Sequence, residues 1–156
     1  MLKPRMFFLT AGVGSHEDPL VSFELALRDA RIEKFNLVPV SSIIPPNCVR
    51  VSLEEGLKEL SAGEIVFCVM AKHSSGEEGK KIYAAVGGAK PTNGHGYLVE
   101  YSGNYSGEDL DSFVKERAEY LVETSHGKKP VEVFSISKVA EVKKITTVVA
   151  AAVFVI

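Results

Sequence analysis

The segment Phe35-Asn36-Leu37-Val38-Pro39-Val40-Ser41-Ser42-Ile43-Ile44-Pro45-Pro46 is the most unusual part of this 156-residue sequence. Its first half is mostly apolar and predicts a strand, which runs directly into two adjacent serines. Pro45 and Pro46 fix their own backbone angles and restrict the residues before them. The serine pair is therefore predicted to lie between a strand and a stiff, extended segment, where a peptide bond can be held in a strained geometry.

Two adjacent serines permit a specific reaction, internal serinolysis. The hydroxyl of Ser42 attacks the carbonyl of Ser41, the amide becomes an ester, and elimination breaks the chain and leaves dehydroalanine. Hydrolysis then yields a pyruvoyl ketone, which can do part of the work of pyridoxal phosphate by accepting the electrons released with carbon dioxide. Because Ser-Ser pairs are common in turns, this segment alone favours a simpler interpretation, a polar strand end followed by a loop.

The periodicity of the rest of the sequence predicts many strands and two main helices. Asp18 before Pro19 predicts a helix start, and the apolar spacing continues to about Arg31. A second helix is predicted from about Gly107 to Glu123, with Gly127 as its stop. Strands are predicted at 6–10, 35–40, 65–71, 82–86, 96–102, 131–139 and 143–155, with loops at 11–15 and 74–81.

The order of these elements predicts the fold class. Strands far outnumber helices and do not alternate with them, which argues against a doubly wound parallel sheet. No internal repeat or linker divides the chain. We therefore expect a single α+β domain over residues 1–156, built as a layered αββα sandwich with mostly antiparallel sheets.

Composition excludes several functional classes. The net charge of −2, with 24% charged residues, gives no electrostatic basis for binding nucleic acid. Residues 145–156 are the most apolar segment, but they are about half as long as a membrane span and favour a buried strand. The N-terminus lacks the features of a secretory signal. Cys48 and Cys68 are far apart in sequence, which suggests buried free thiols and a cytoplasmic protein.

The sequence contains no convincing metal or phosphate motif. Residues 11–15 (Ala-Gly-Val-Gly-Ser) lack the third glycine of a dinucleotide fingerprint and the Gly-Lys-Ser/Thr of a P-loop. We expect them to form a strand-to-helix loop. The histidines show no ligand spacing, so no metal site is expected; they are His16, His73, His95 and His126.

Four segments, in the correct order, resemble the archaeal-type pyruvoyl-dependent arginine decarboxylases over nearly the full length of the chain. The most specific match is residues 35–46, which resemble the processing segment of that family. The other three resemble its first strand and the start of its first helix, its acidic strand, and its small-residue C-terminal strand; they are residues 9–12 with 19–20, residues 96–101 with 103, and residues 150–152.

The resemblance implies that the chain cuts itself between Ser41 and Ser42 into fragments 1–41 and 42–156. Ser42 would become the covalent pyruvoyl cofactor. Asn36 matches a family asparagine that stabilises the charged intermediate of self-cleavage, as an amide donor near an oxyanion can. It lies six residues before Ser42, so an extended strand would put both on one face. The alternative for Asn36 is an ordinary strand-edge or turn amide.

The resemblance also implies roles for two glutamates. Glu100 matches the residue that delivers a proton after decarboxylation, and its apolar and aromatic neighbours would raise its pKa. The alternative is an exposed glutamate on an edge strand. Glu24 stands where the family commonly has an aspartate facing the substrate's guanidinium. Glutamate keeps the charge but is one methylene longer, which changes the geometry of a bidentate pair. The alternative for Glu24 is a solvated helix residue.

The resulting expectation is a carboxy-lyase that converts arginine to agmatine and carbon dioxide, for polyamine synthesis or acid resistance. The resemblance implies a homotrimer of cleaved subunits, with active sites at the subunit interfaces. Two alternatives remain open: a decarboxylase for another amino acid, and an unprocessed paralogue that acts as a binding or structural subunit. The Glu24 substitution keeps both open, whereas the retained Ser41, Ser42, Asn36 and Glu100 argue against the second.

Overall fold

Nine strands and three helices make up the structure, a computed structural model that describes all 156 residues. In chain order they are β1 (Met6–His16), α1 (Pro19–Asp29), β2 (Asn36–Pro39), β3 (Ile43–Ile44), β4 (Val49–Arg50), α2 (Leu53–Lys58), β5 (Ile65–Ser75), β6 (Lys81–Lys90), β7 (Gly96–Asn104), α3 (Leu110–His126), β8 (Glu132–Glu141) and β9 (Ile145–Val155).

The strands form two sheets, which we name A and B. Sheet A has the order β2-β5-β9-β1-β4, and sheet B has the order β3-β7-β6-β8. All pairs in sheet B are antiparallel, and in sheet A only the edge strands β2 and β4 pair in parallel. Helices α1 and α2 pack on sheet A, and α3 packs on sheet B. The predicted α+β sandwich with four αββα layers is confirmed.

Strand β9 shows why the C-terminal segment is so apolar. Val148, Ala150, Ala152 and Phe154 belong to the core between the two sheets. Their alternate neighbours belong to the second core, between sheet A and helix α1; they are Val149, Ala151, Val153 and Val155. A central strand covered on both faces needs a continuous apolar run. None of the three helices has the length and hydropathy needed to span a lipid bilayer.

The helix boundaries follow from local capping chemistry. The Asp18 side chain accepts a hydrogen bond from Val21 N at 3.1 Å, which begins α1 as predicted. Helix α3 begins three residues later than predicted, because Asp109 caps it by accepting from Ser112 N at 3.2 Å. The predicted stop of α3 is confirmed, since Gly127 adopts a left-handed conformation with φ of 71°.

The predicted loop at residues 11–15 is wrong, because these residues lie inside strand β1. A Cβ atom on Gly12 would lie 2.3 Å from Ala26 O, and one on Gly14 would lie 2.4 Å from Ala26 N. The glycines therefore do not break the strand but allow the α1 backbone to pack directly on it. The predicted loop at 74–81 is also too long, because β5 continues to Ser75.

Replacing Gly14 with alanine should destabilise the protein by about 2 kcal/mol, because backbone atoms of α1 cannot yield to the added methyl group. In a domain of this size that loss lowers the melting temperature by roughly 4–8 °C. The matched control is Gly76→Ala, where the nearest atom lies 3.8 Å from the added Cβ. Equal melting temperatures for the two variants in thermal unfolding would contradict the proposed packing constraint.

Candidate active site

The serine pair lies where the chain crosses from one sheet to the other. Strand β2 is an outer strand of sheet A, and β3 is an outer strand of sheet B. Before the pair, Val40 N donates to Cys68 O at 2.9 Å; after it, Ser42 O accepts from Leu98 N at 2.8 Å. The Ser41–Ser42 bond is thus anchored on both sides while it bridges the open edges of the sandwich.

The carbonyl oxygen of Ser41 has a backbone donor of its own. Ile43 N donates to Ser41 O at 3.1 Å, across the intervening Ser42. A donor on this oxygen polarises the carbonyl and stabilises negative charge that develops on it. This donor is not predictable from the sequence, because every residue except proline carries the same backbone N–H group.

The chain at Ser42 pairs with β7, the strand that carries Glu100. Strand β3 pairs antiparallel with β7 through Ile43↔Tyr97, and the bond from Leu98 N to Ser42 O continues this register. Ser42 therefore lies opposite Leu98, a residue of the core between the sheets. Glu100 is two residues further along β7.

Glu100 lines a cavity of about 310 Å³ together with Met70, Ala71, Lys72, Tyr101 and Ser102. Glu100 is exposed in the single chain, but partial desolvation raises its pKa above the ordinary value. This direction agrees with the expected environment for a general acid. The carboxyl has no salt-bridge partner within 4.0 Å to oppose the effect.

Asn36 lines a second and larger cavity, of about 440 Å³, between α1 and the β2–β5 edge of sheet A. Its Nδ2 donates to Gly63 O at 2.8 Å, and the side chain makes no hydrogen bond with either serine. Within one subunit the structure does not join Asn36 to Ser42. The two cavities do adjoin, because Met70 and Lys72 line both of them.

Glu24 lies on α1 and lines neither cavity. Its carboxylate pairs with Arg28 Nε, one helical turn later, at 3.3 Å, and both side chains are well exposed. Such a pair contributes about 0.3–0.5 kcal/mol, so a ligand can replace it easily. The adjacent residue, Phe23, does line the second cavity. The first helix therefore borders the site, although its acidic group points to a helix neighbour.

The two cysteines are free and buried, as expected from the sequence. Burial raises the pKa of each thiol to about 11, and in Cys68 the charge of Glu100 adds to the effect. Both thiols therefore stay protonated near neutral pH and are poor nucleophiles. Cys68 contributes to the site only as a small apolar wall of the second cavity.

Two of the four histidines are neighbours in space, a proximity that their sequence spacing did not indicate. The rings of His95 and His126 lie 4.8 Å apart, and His126 Nε2 lies 2.9 Å from His95 O. His95 Nε2 lies 3.1 Å from the hydroxyl of Tyr97. The structure contains no group of three or more His, Cys, Asp or Glu side chains arranged to hold a metal ion.

Comparison with known proteins identifies the family. A sequence model described as pyruvoyl-dependent arginine decarboxylase matches residues 6–156. The chain is 56% identical over 155 residues to pyruvoyl-dependent arginine decarboxylase 1 of Archaeoglobus fulgidus, which covers 98% of this chain and 99% of that protein. It is 48% identical over 161 residues to pyruvoyl-dependent arginine decarboxylase 1 of Methanosarcina acetivorans, covering 99% and 98%. These matches show that the chain belongs to the pyruvoyl-dependent arginine decarboxylase family.

Proposed function

We propose that Ser42 supplies the pyruvoyl group on which this arginine decarboxylase depends, and that the chain cleaves itself between Ser41 and Ser42 to form it. The products are a small chain, residues 1–41, and a large chain, residues 42–156. The enzyme is a carboxy-lyase that converts arginine to agmatine and carbon dioxide. The observation that carries the proposal is the anchored Ser41–Ser42 bond at the edge of both sheets.

The residues around the bond fit the formation of this group. The Ser42 hydroxyl attacks the Ser41 carbonyl, so that a C–O bond forms and the C–N bond breaks. Negative charge develops on Ser41 O, to which Ile43 N already donates. Loss of the Ser42 Cα proton then expels the Ser41 carboxylate and leaves dehydroalanine. Water then adds to that residue and ammonia leaves, so that the new N-terminus of the large chain becomes a ketone.

Decarboxylation needs an electron sink and a proton donor. The pyruvoyl group that Ser42 would form would supply the electron sink, a ketone able to take up the substrate's amine and the electron pair released with carbon dioxide. Glu100 is the proposed proton donor to the carbon that lost the carboxylate, because it lies on β7 two residues from Leu98, which bonds to Ser42 O. Its raised pKa keeps more of the carboxyl protonated near neutral pH.

Asn36 is proposed to assist self-cleavage from the neighbouring subunit rather than from its own. Its amide has a second N–H beyond the one donated to Gly63 O, and it lies on the exposed edge strand β2. The same edge presents an apolar surface: Val38, Val40 and Ile43 are 37%, 37% and 43% exposed. An open apolar edge favours association, and we propose the homotrimer implied by the family.

The proposed substrate contact at Glu24 puts arginine in competition with Arg28 for the Glu24 carboxylate. The substrate and Arg28 both present a guanidinium group. The existing Glu24–Arg28 pair is a single contact at 3.3 Å between exposed side chains. The substrate therefore competes with a weak partner.

We also propose that the enzyme is cytoplasmic, because two free buried thiols are typical of reducing compartments.

The test is a denaturing intact-mass spectrum of the purified protein, followed by a screen of amines released from arginine, lysine, ornithine, histidine and aspartate. We expect two chains split after Ser41, a large chain without a free amino terminus, and agmatine from arginine. A single chain near 16.9 kDa after long incubation would indicate an unprocessed paralogue. Cleavage with turnover of a different amino acid would contradict the arginine assignment.

A further inference from the structure

Lys72 lines both of the adjoining cavities described above. It lines one of them together with Glu100, and the other together with Asn36 and Phe23. It follows the buried part of β5, so its backbone is fixed by pairing with Val149 of β9. A long cationic side chain on a rigid strand can reach either cavity.

The ammonium group of Lys72 has no anionic partner. It forms none of the salt bridges in the structure, whereas several other lysines and arginines do; those pairs are Arg5–Glu59, Arg28–Glu24, Arg31–Glu54, Arg50–Glu132, Lys115–Asp111 and Lys144–Glu17. Instead its Nζ lies 4.4 Å from the centre of the Phe23 ring. This contact positions the cation without neutralising it, which leaves its charge available to a ligand.

We propose that Lys72 binds the α-carboxylate of the substrate; this inference rests on the proposed decarboxylase function and adds a substrate-binding residue to it. An amino acid must present its carboxylate close to the cofactor made from Ser42 and to Glu100, the proton donor. The substrate's α-carboxylate is ionised at neutral pH, and a nearby cation stabilises it through a charge-assisted hydrogen bond. Lys72 is the cation that lines the cavity of Glu100.

The proposed partners of the two charged ends of arginine are both connected to helix α1. Lys72 Nζ lies over the ring of Phe23, and the next residue of α1 is Glu24, the proposed partner of the guanidinium group, which lies outside the two cavities. Lys72 also distinguishes substrate from product, because agmatine has lost the carboxylate and keeps only cationic groups. The lysine therefore attracts arginine and repels agmatine, which favours product release.

Two probes separate these effects. The first is 5-guanidinopentanoate, which has the carboxylate and guanidinium of arginine but no amine to react. The second is agmatine, which has the amine and guanidinium but no carboxylate. In calorimetric titrations of the cleaved enzyme, Lys72→Met should weaken binding of 5-guanidinopentanoate about 10- to 100-fold and leave agmatine binding unchanged or tighter. The KM for arginine should rise by a similar factor.

Controls keep a structural effect apart from a lost contact. Lys72→Arg retains the charge and should recover most of the binding of 5-guanidinopentanoate, and Lys80→Met removes an exposed lysine outside both cavities. Equal weakening of both probes, or no change in either, would overturn the assignment of Lys72. An uncleaved wild-type chain that releases no agmatine would instead overturn the proposed function, before any variant is compared.

Discussion

Replacement of Ser42 with alanine is expected to leave one uncleaved chain with no detectable decarboxylase activity. The variant lacks the hydroxyl that attacks the Ser41 carbonyl, and alanine cannot become dehydroalanine by eliminating an ester. Since the cofactor is made from this residue, the loss is complete rather than partial. We expect Ser42→Ala to change the fold little, because the hydrogen bond between Ser42 and Leu98 N is made by the backbone oxygen of Ser42.

The matched control is Ser41→Ala. Ser41 contributes only its carbonyl to the proposed reaction, so this variant should still cleave and still produce agmatine. Mass spectrometry after denaturation distinguishes the outcomes. For serinolysis the two fragments should sum to about one dalton more than the intact chain, against about eighteen for simple hydrolysis. Cleavage of the Ser42→Ala variant at this bond would contradict the proposed role of the hydroxyl.

The fold was predictable because its main signals are local. Alternating and continuous apolar runs identified most strands, and the excess of strands over helices identified the layered sandwich. Residues 11–15 misled the prediction, since glycine signals a loop as readily as a close helix contact. Only the position of α1, which brings Ala26 against Gly12 and Gly14, distinguishes the two cases.

The site was predictable only in part, because its residues come from distant parts of the chain. Ser41 and Ser42 stand out in sequence, and the resemblance supplied Glu100, but the pairing of β3 with β7 is what places Glu100 near Ser42. Lys72 carries no sequence signal beyond a charge at the end of an apolar run. The predicted extended strand through Asn36 and Ser42 is interrupted, because β2 ends at Pro39 and the chain then crosses to the other sheet, and the Asn36 amide is bonded to Gly63 O.

The second large effect is expected at Glu100. Glu100→Gln keeps the size of the side chain but removes the proton that is transferred after carbon dioxide leaves. General acid catalysis is typically worth 100- to 10,000-fold, and we expect kcat for agmatine formation to fall by roughly that factor. The KM for arginine should change little, because the proton transfer follows binding. The rate is measured as released agmatine and divided by the cleaved fraction from the mass spectrum.

The pH dependence provides a sharper test than the rate alone. The active form of Glu100 is the protonated one, so kcat of the wild-type enzyme should fall as pH rises through the pKa of this group. Because desolvation raises that pKa, activity extends to higher pH than an ordinary glutamate would allow. Glu100→Gln should lose this alkaline limb, and the control Glu116→Gln, an exposed residue of α3, should retain it. An alkaline limb that survives in Glu100→Gln with unchanged kcat would assign the proton to another group.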